Sequence, residues 1–185
     1  PMLSIIIDEA IEVPKWVEDL ESFRRWAHSE EFPERGMIAY FDGKLWIEAS
    51  MEKVVHNKAK GTISSVLVHL VEEGKLGHFF VDRMRLTHPE AGLSSEPDGT
   101  FASRETLQRQ RLRVEHGLIG SELVGSPHMV LEGVSTSSVQ KDTIILPELY
   151  WKAGVQEYWL VDPRGEAVTF DIFKRGEKGF ERVKG

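Results

Sequence analysis

The sequence predicts an α/β (α+β) fold in which a mixed β-sheet is flanked by α-helices, with an N-terminal hairpin and a C-terminal strand pair. Three observations carry that expectation. Between residues 128 and 162 an apolar strand, a helical pattern and a second apolar strand follow in turn, the order of a crossover unit whose two strands run parallel. Two apolar runs flank Asp42-Gly43, a dipeptide that accepts the positive φ angles of a type I′ hairpin turn. From Met51 to Glu73 apolar residues recur at helical spacing, and Gly74 follows as a stop.

In chain order, Val17 to Ala27 places Val17, Leu20 and Ala27 on one stripe and charge on the opposite face, which reads as a short amphipathic helix. Met37 to Ser50 is the hairpin. The main helix over 51–73 carries Val54, Val55, Ile63, Val66, Leu67, Leu70 and Val71 toward a core. Gly77 to Val81 reads as a strand continuing through Met84, Arg85 and Leu86, and Pro97 to Phe101 as a shorter strand entered from a turn. His128 to Val134 is an apolar strand, Leu146 to Ala153 a helix ended by Gly154, and Glu157 to Asp162 a further strand. Pro147 lacks a backbone donor, so the regular helix either begins near Leu146 or kinks there. Past the turn Pro163-Arg164-Gly165, residues 167–173 and 180–183 form the closing pair.

The chain has 185 residues, 41% of them hydrophobic, with no repeats or low-complexity tracts; this suits one domain over residues 1–185. No apolar run reaches the roughly eighteen residues that cross a bilayer. The first residues carry neither a basic lead nor a small-residue cleavage site, so the cytoplasm is the expected compartment. Without cysteine there is no disulfide framework, thiolate nucleophile or cysteine-based zinc site, and a metal must rest on carboxylates, histidines or carbonyls. A net charge of −7, from 23 basic and 30 acidic side chains, argues against an unselective nucleic-acid binder.

Glu132 lies inside an apolar strand and shares a sheet face with Val130 and Val134, where a lone buried charge is costly. It reads either as an edge-strand glutamate reaching water or as a metal ligand. Asp98, in Pro97-Asp98-Gly99, reads either as a turn aspartate accepting backbone N–H groups or as a second ligand. Taken together, Pro-Asp at one strand start and Glu-x-Val in another match the layout of a divalent-metal nuclease. Two oxygen donors on adjacent strands hold Mg²⁺ or Mn²⁺, often with the carbonyl at position 133 as a third, and a lysine orients the water. The third position of that motif is Val134, not lysine. Lys141, at the entry to the following helix, is the nearest substitute; with Asp142 it reads alternatively as an ordinary helix start, Lys141 in solvent and Asp142 capping. Glu52 and His56 share a face at the start of the main helix, either completing the pocket or serving as a first-turn acid and a boundary histidine. Arg104, Arg109, Arg111 and Arg113 form a basic stretch that reads as solvated surface ahead of a phosphate track. Tyr150, Trp151, Tyr158 and Trp159 read as core rather than a base-stacking platform.

The run VLEGVSTSSVQKDTIILPELYWKAGVQEYWLVDPRG, with EPDGTF and MEKVVHN upstream, resembles the bacterial Uma-two family of restriction-endonuclease-like proteins. The resemblance spans roughly Gly43 to Gly165 and implies a PD-(D/E)XK nuclease-like core, Mg²⁺ as cofactor, DNA as substrate and a homodimer. It matches Asp98 to the family's Pro-Asp acid, Glu132 to its strand glutamate and His56 to the histidine opening its first core helix. Asp142 and Asp162 match too, and Asp162, at a strand end before Pro163, reads either as structural or as a support behind the site. Two departures stand out: Leu146 occupies a position where many members carry lysine, and Gly133 one where a bulkier apolar residue is usual. The expected function is therefore a metal-dependent DNA endonuclease with Asp98, Glu132, Lys141, His56 and Glu52 at its site. The alternative is a catalytically inactive nucleic-acid-binding or assembly module on the same fold.

Overall fold

The computed structural model of the chain describes residues 11–33, 36–48, 54–82, 84–116 and 121–184. Its first helix, α1 (Leu20–Ala27), begins later than the apolar spacing suggests because Asp19 caps it. The Asp19 carboxylate accepts from the Ser22 N–H at 2.8 Å while the Ser22 hydroxyl accepts from the Asp19 N–H at 2.9 Å, satisfying two donors that would otherwise be orphaned. Phe23 and Trp26 then pack on Ile38. Strands β1 (Met37–Phe41) and β2 (Lys44–Glu48) form the expected hairpin. Asp42 and Gly43 have φ of 44° and 81°, both positive as the type I′ turn requires.

The main helix α2 (Val54–Glu73) lays Ala59, Ile63 and Leu67 on Met129, Leu131 and Val161. Residues 51–53, the expected start of this helix, lie outside the described residues, and Glu52 with them. Val66 and Leu70, expected in the core, are each 52% exposed; the helix meets a sheet on one side only, and its apolar stripe is wider than that contact. The expected long strand after it is in fact two, β3 (Gly77–Val81) and β4 (Arg85–His88), which belong to different sheets.

The chain then continues through β5 (Leu93–Ser95), β6 (Gly99–Ser103), the short helix α3 (Arg104–Gln108), β7 (Leu112–His116), β8 (Ser121–Gly125) and β9 (Met129–Gly133). A π-helical turn over Lys141–Ile145 leads into α4 (Leu146–Lys152), followed by β10 (Glu157–Asp162), β11 (Thr169–Arg175) and β12 (Phe180–Arg182). The strands make two mixed six-stranded sheets rather than one, in the orders β2-β1-β5-β4-β8-β7 and β12-β11-β10-β9-β6-β3. The crossover from β9 through α4 to β10 is parallel, as expected. The regular helix starts at Leu146, so Pro147 sits in its first turn, where the missing N–H costs nothing.

The hairpin and β4 of the first sheet were expected, but β5, β7 and β8 escaped the hydropathy pattern, the sheet carrying polar residues at buried positions. Arg85 on β4 pairs with Glu96 at 2.6 Å, and Thr87 donates to Glu122 of β8 at 2.7 Å. Glu122 also pairs with Arg24 of α1. Each of these side chains replaces water with a charged or hydroxyl partner, which lets a polar residue occupy a core position. The apolar core joins Leu86, Leu93 and Leu123 of this sheet to Val130 and Tyr158 of the other, with Leu146 and Tyr150 of α4 between them. Among the described residues no helix is long and apolar enough to cross a membrane.

The basic stretch is dispersed over α3, β7 and the turn between them. Arg109 pairs with Glu105, Arg113 with Glu115, and Arg111 donates to the Gly154 carbonyl at 3.2 Å. Such pairing matches the reading of solvated surface, not a free phosphate track. Tyr150 and Tyr158 are core residues, whereas Trp151 and Trp159 are half-buried.

Candidate active site

Strand β6 is antiparallel to β9 with Gly99 opposite Leu131, and Asp98 stands just before β6, beside the end of β9 that carries Glu132 and Gly133. Pleating puts Glu132 on the face of Val130, toward Tyr150 of α4, while the Asp98 carboxyl reaches Lys60 of α2 over Gly133, on the face of Leu131. Strand β9 lies between β6 and β10, in the middle of its sheet, and Glu132 is 2% exposed. That removes the reading of a wet edge-strand glutamate. Asp98, buried as well, accepts from the Gly133 N–H at 2.7 Å through Oδ2. It is anchored across the strands and not within its own turn.

Helix α2 delivers two side chains from adjacent turns of one face, His56 and Lys60. His56 donates from Nε2 to the Gly133 carbonyl at 2.7 Å, which requires the Nε2–H form of the ring. Lys60 Nζ stands 2.6 Å from Asp98 Oδ1. The absence of a side chain at position 133 makes this convergence possible. A Cβ there would lie 2.9 Å from His56 Nε2, 3.1 Å from Asp98 Oδ2 and 3.2 Å from Lys60 Cγ. Gly133→Ala should therefore push all three outward and destabilise the fold by about 1–3 kcal/mol, the range for overpacking a tight interior. A thermal melt checks this; an unchanged midpoint would mean that the surrounding side chains yield freely.

The π-helical turn supplies Lys141 and Asp142, 4% and 0% exposed. Neither follows the ordinary helix start: Asp142 caps no backbone donor, and Lys141 is not in solvent. Lys141 Nζ lies 3.2 Å from Asp142 Oδ1 and 3.9 Å from Glu48 Oε2 of the hairpin. Burial pulls its pKa down, but the charges of Glu132, Asp142 and Glu48 outweigh burial and hold the ammonium above the ordinary lysine range. The residue expected to orient water is thus locked inside the acidic cluster. Glu132 responds in the opposite sense. Burial drives its carboxyl well above the usual glutamate range; Lys141 pulls it back, Asp142 and Asp98 push it higher, and the Tyr150 hydroxyl, donating to Oε1 at 2.7 Å, opposes them. Burial and the Glu132 charge raise Tyr150 as well, so it stays a donor.

Asp142 is pushed up to about 6 by burial, against the pull of Lys141 and of the Ser138 hydroxyl that donates to Oδ2. Because this lies above the ordinary 3.8, the folded state holds the proton more tightly than the unfolded chain. The resulting stability is fully present below pH 3.8 and is lost as pH rises through about 6. Asp142→Asn removes that loss. Between pH 4 and 7.5, in chelator, the variant should gain on the parent by about 2 kcal/mol in urea denaturation. A gap that stays constant with pH would show that Asp142 ionises as freely folded as unfolded.

Six groups therefore share one buried electrostatic cluster: Glu48, Asp98, Glu132 and Asp142 against Lys60 and Lys141. The nearby oxygen donors, the carboxylates of Asp98 and Glu132 and the Gly133 carbonyl, are hard ligands of the kind that suit Mg²⁺ or Mn²⁺. Among the described residues no three Asp, Glu, His or Cys side chains converge as a ready metal-ligand set. Position 146, where the sequence resemblance expected lysine, holds a leucine that is wholly buried in the core. Asp162 binds Arg164 of its own turn, and these bonds keep its carboxyl below the usual range. Sequence reasoning passed over Glu48, Lys60 and Tyr150 as site residues. Lys60 alone had a legible cue, its place one helical turn after His56.

The family model described as Uma2, "Putative restriction endonuclease", matches residues 20–184. Among solved structures, the chain is similar to the crystal structure of "a putative nuclease belonging to DUF820 from Anabaena variabilis ATCC 29413". The two share 21% identity at a TM-score of 0.58 over 78% of this chain and 75% of that one, a likeness of fold. No curated protein matches.

Proposed function

The chain belongs to the Uma2 "Putative restriction endonuclease" family, and from that premise and the buried acidic cluster we propose that it is a metal-dependent phosphodiesterase acting on DNA. The observation that carries this reading is the meeting of Asp98, just before β6, with Glu132 and the Gly133 backbone at the end of the adjacent central strand β9. Asp98, Glu132 and the Gly133 carbonyl would hold Mg²⁺ or Mn²⁺, and the ion supplies Lewis-acid polarisation of the scissile phosphate. The protein's own groups do the rest. Lys141 and Tyr150 keep Glu132 oriented and favour its ionised form. His56 fixes the Gly133 carbonyl, and the Gly133 N–H fixes Asp98. Glu52, outside the described residues, belongs to the same pocket in this reading, and a cytoplasmic homodimer is part of it.

The test is cleavage of supercoiled plasmid by the purified chain with Mg²⁺ or Mn²⁺ and with chelator. Metal-dependent nicking supports the reading. A second reading, an inactive nucleic-acid-binding or assembly module, is favoured by Leu146, an apolar core residue where many relatives carry lysine. It predicts DNA binding that weakens steeply with salt and no cleavage at any metal concentration.

A further inference from the structure

Two lysines approach the acids of this site, and their surroundings differ. Lys141 is 4% exposed, and three carboxylates surround its ammonium. The Lys60 side chain is 15% exposed, reaching Asp98 Oδ1 at 2.6 Å from one side and the surface residue Asp82 at 3.4 Å from the other. Its stem lies across Gly133, with Cγ only 3.2 Å from where a Cβ would stand. A side chain at that position would bar the way, so the glycine and the Lys60–Asp98 pair are one arrangement. The ammonium sits on an oxygen that the proposed metal would need, at the solvent-facing end of the cluster.

We propose that Lys60 is the working cation of the site: in the metal-free protein its ammonium holds the cation position on Asp98, and when a divalent ion takes that oxygen Lys60 turns to the phosphate backbone of the substrate. This rests on the metal-dependent reading above. Its parts follow from the geometry. An ammonium and a metal ion compete for one carboxylate oxygen, so binding the second displaces the first. A long, partly exposed side chain with a second acid beside it has somewhere to go, which Lys141 does not. The chain thereby keeps a positive charge for the substrate although position 146 is leucine.

The experiment is calorimetric titration of Mn²⁺ into the parent and into Lys60→Met at low ionic strength, followed by plasmid cleavage by both. Removing the competitor should tighten Mn²⁺ binding by about tenfold, while cleavage falls by a hundredfold or so, the scale of a lost transition-state charge contact. Lys60→Gln, which keeps the length and polarity without the charge, should behave in the same way and serves if Lys60→Met does not fold. Tighter metal binding with lost cleavage supports the proposal. If the parent binds Mn²⁺ and the variants bind it equally or more weakly, Lys60 is no competitor and the proposal fails while the metal reading stands. If neither parent nor variants bind Mn²⁺, both fail together.

Discussion

Asp98→Ala is expected to abolish metal-dependent cleavage, by about a thousandfold or more. The carboxylate is buried, anchored by the Gly133 N–H at 2.7 Å and paired with Lys60, so alanine removes an oxygen ligand held in place by the fold. Lewis-acid stabilisation of a phosphoryl transition state is worth several kcal/mol, and each 1.4 kcal/mol or so is a tenfold rate change. Asp98→Asn should lose nearly as much activity. Its amide oxygen still accepts the Gly133 N–H, so the fold is held while the charge is gone. Comparing the two variants in a plasmid assay, with circular dichroism of each, separates ligand loss from misfolding. If Asp98→Asn cuts as fast as the parent, Asp98 is not a metal ligand, whatever the fold.

Lys141→Met carries the largest expected effect on stability. The ammonium is enclosed among Glu132, Asp142 and Glu48. Its removal leaves three carboxyls around an apolar group, to be protonated or exposed. Truncating one partner of such a buried cluster costs about 3–5 kcal/mol, which for a chain of this size lowers the melting temperature by roughly 10 °C. The double variant Lys141→Met, Glu132→Gln should recover part of that loss, because the amide removes one of the deeply buried carboxyls. A double variant as unstable as the single one would mean that Lys141 acts through packing and not charge. Lys60→Met, whose lysine is partly exposed and pairs with one buried acid and one exposed acid, should destabilise far less. Stability measurements on the two lysines therefore distinguish the cation that holds the cluster together from the one facing the substrate.

Local rules made much of this molecule legible. Asp42-Gly43 needs positive φ at both positions, and the hairpin turn follows from those two residues alone. The parallel β9–α4–β10 unit follows from two apolar runs separated by a helical period. Pro147 permits a helix to start beside it and forbids one to pass through it, and α4 begins where that rule puts it. Strands β5 and β8 of the first sheet were hidden for a physical reason. They are short, and Ser94, Ser95 and Glu122 fill interior positions, Glu122 accepting from Thr87 and Ser94 from Arg85, so their polarity reads as surface.

The sequence by itself determined the family, the hairpin turn, the start of α4 and the two acids worth suspecting, because each rests on residue types at short range or on a long specific string. Only the tertiary structure decided what those acids are worth. That Glu132 is central and not at an edge depends on which strands flank β9. That Lys141 is buried depends on the hairpin bringing Glu48 across it. That Lys60, from a helix far back in the chain, meets Asp98 depends on Gly133 leaving the space between them empty. Charge, burial and reach are properties of neighbours in space, and no spacing along the chain encodes them.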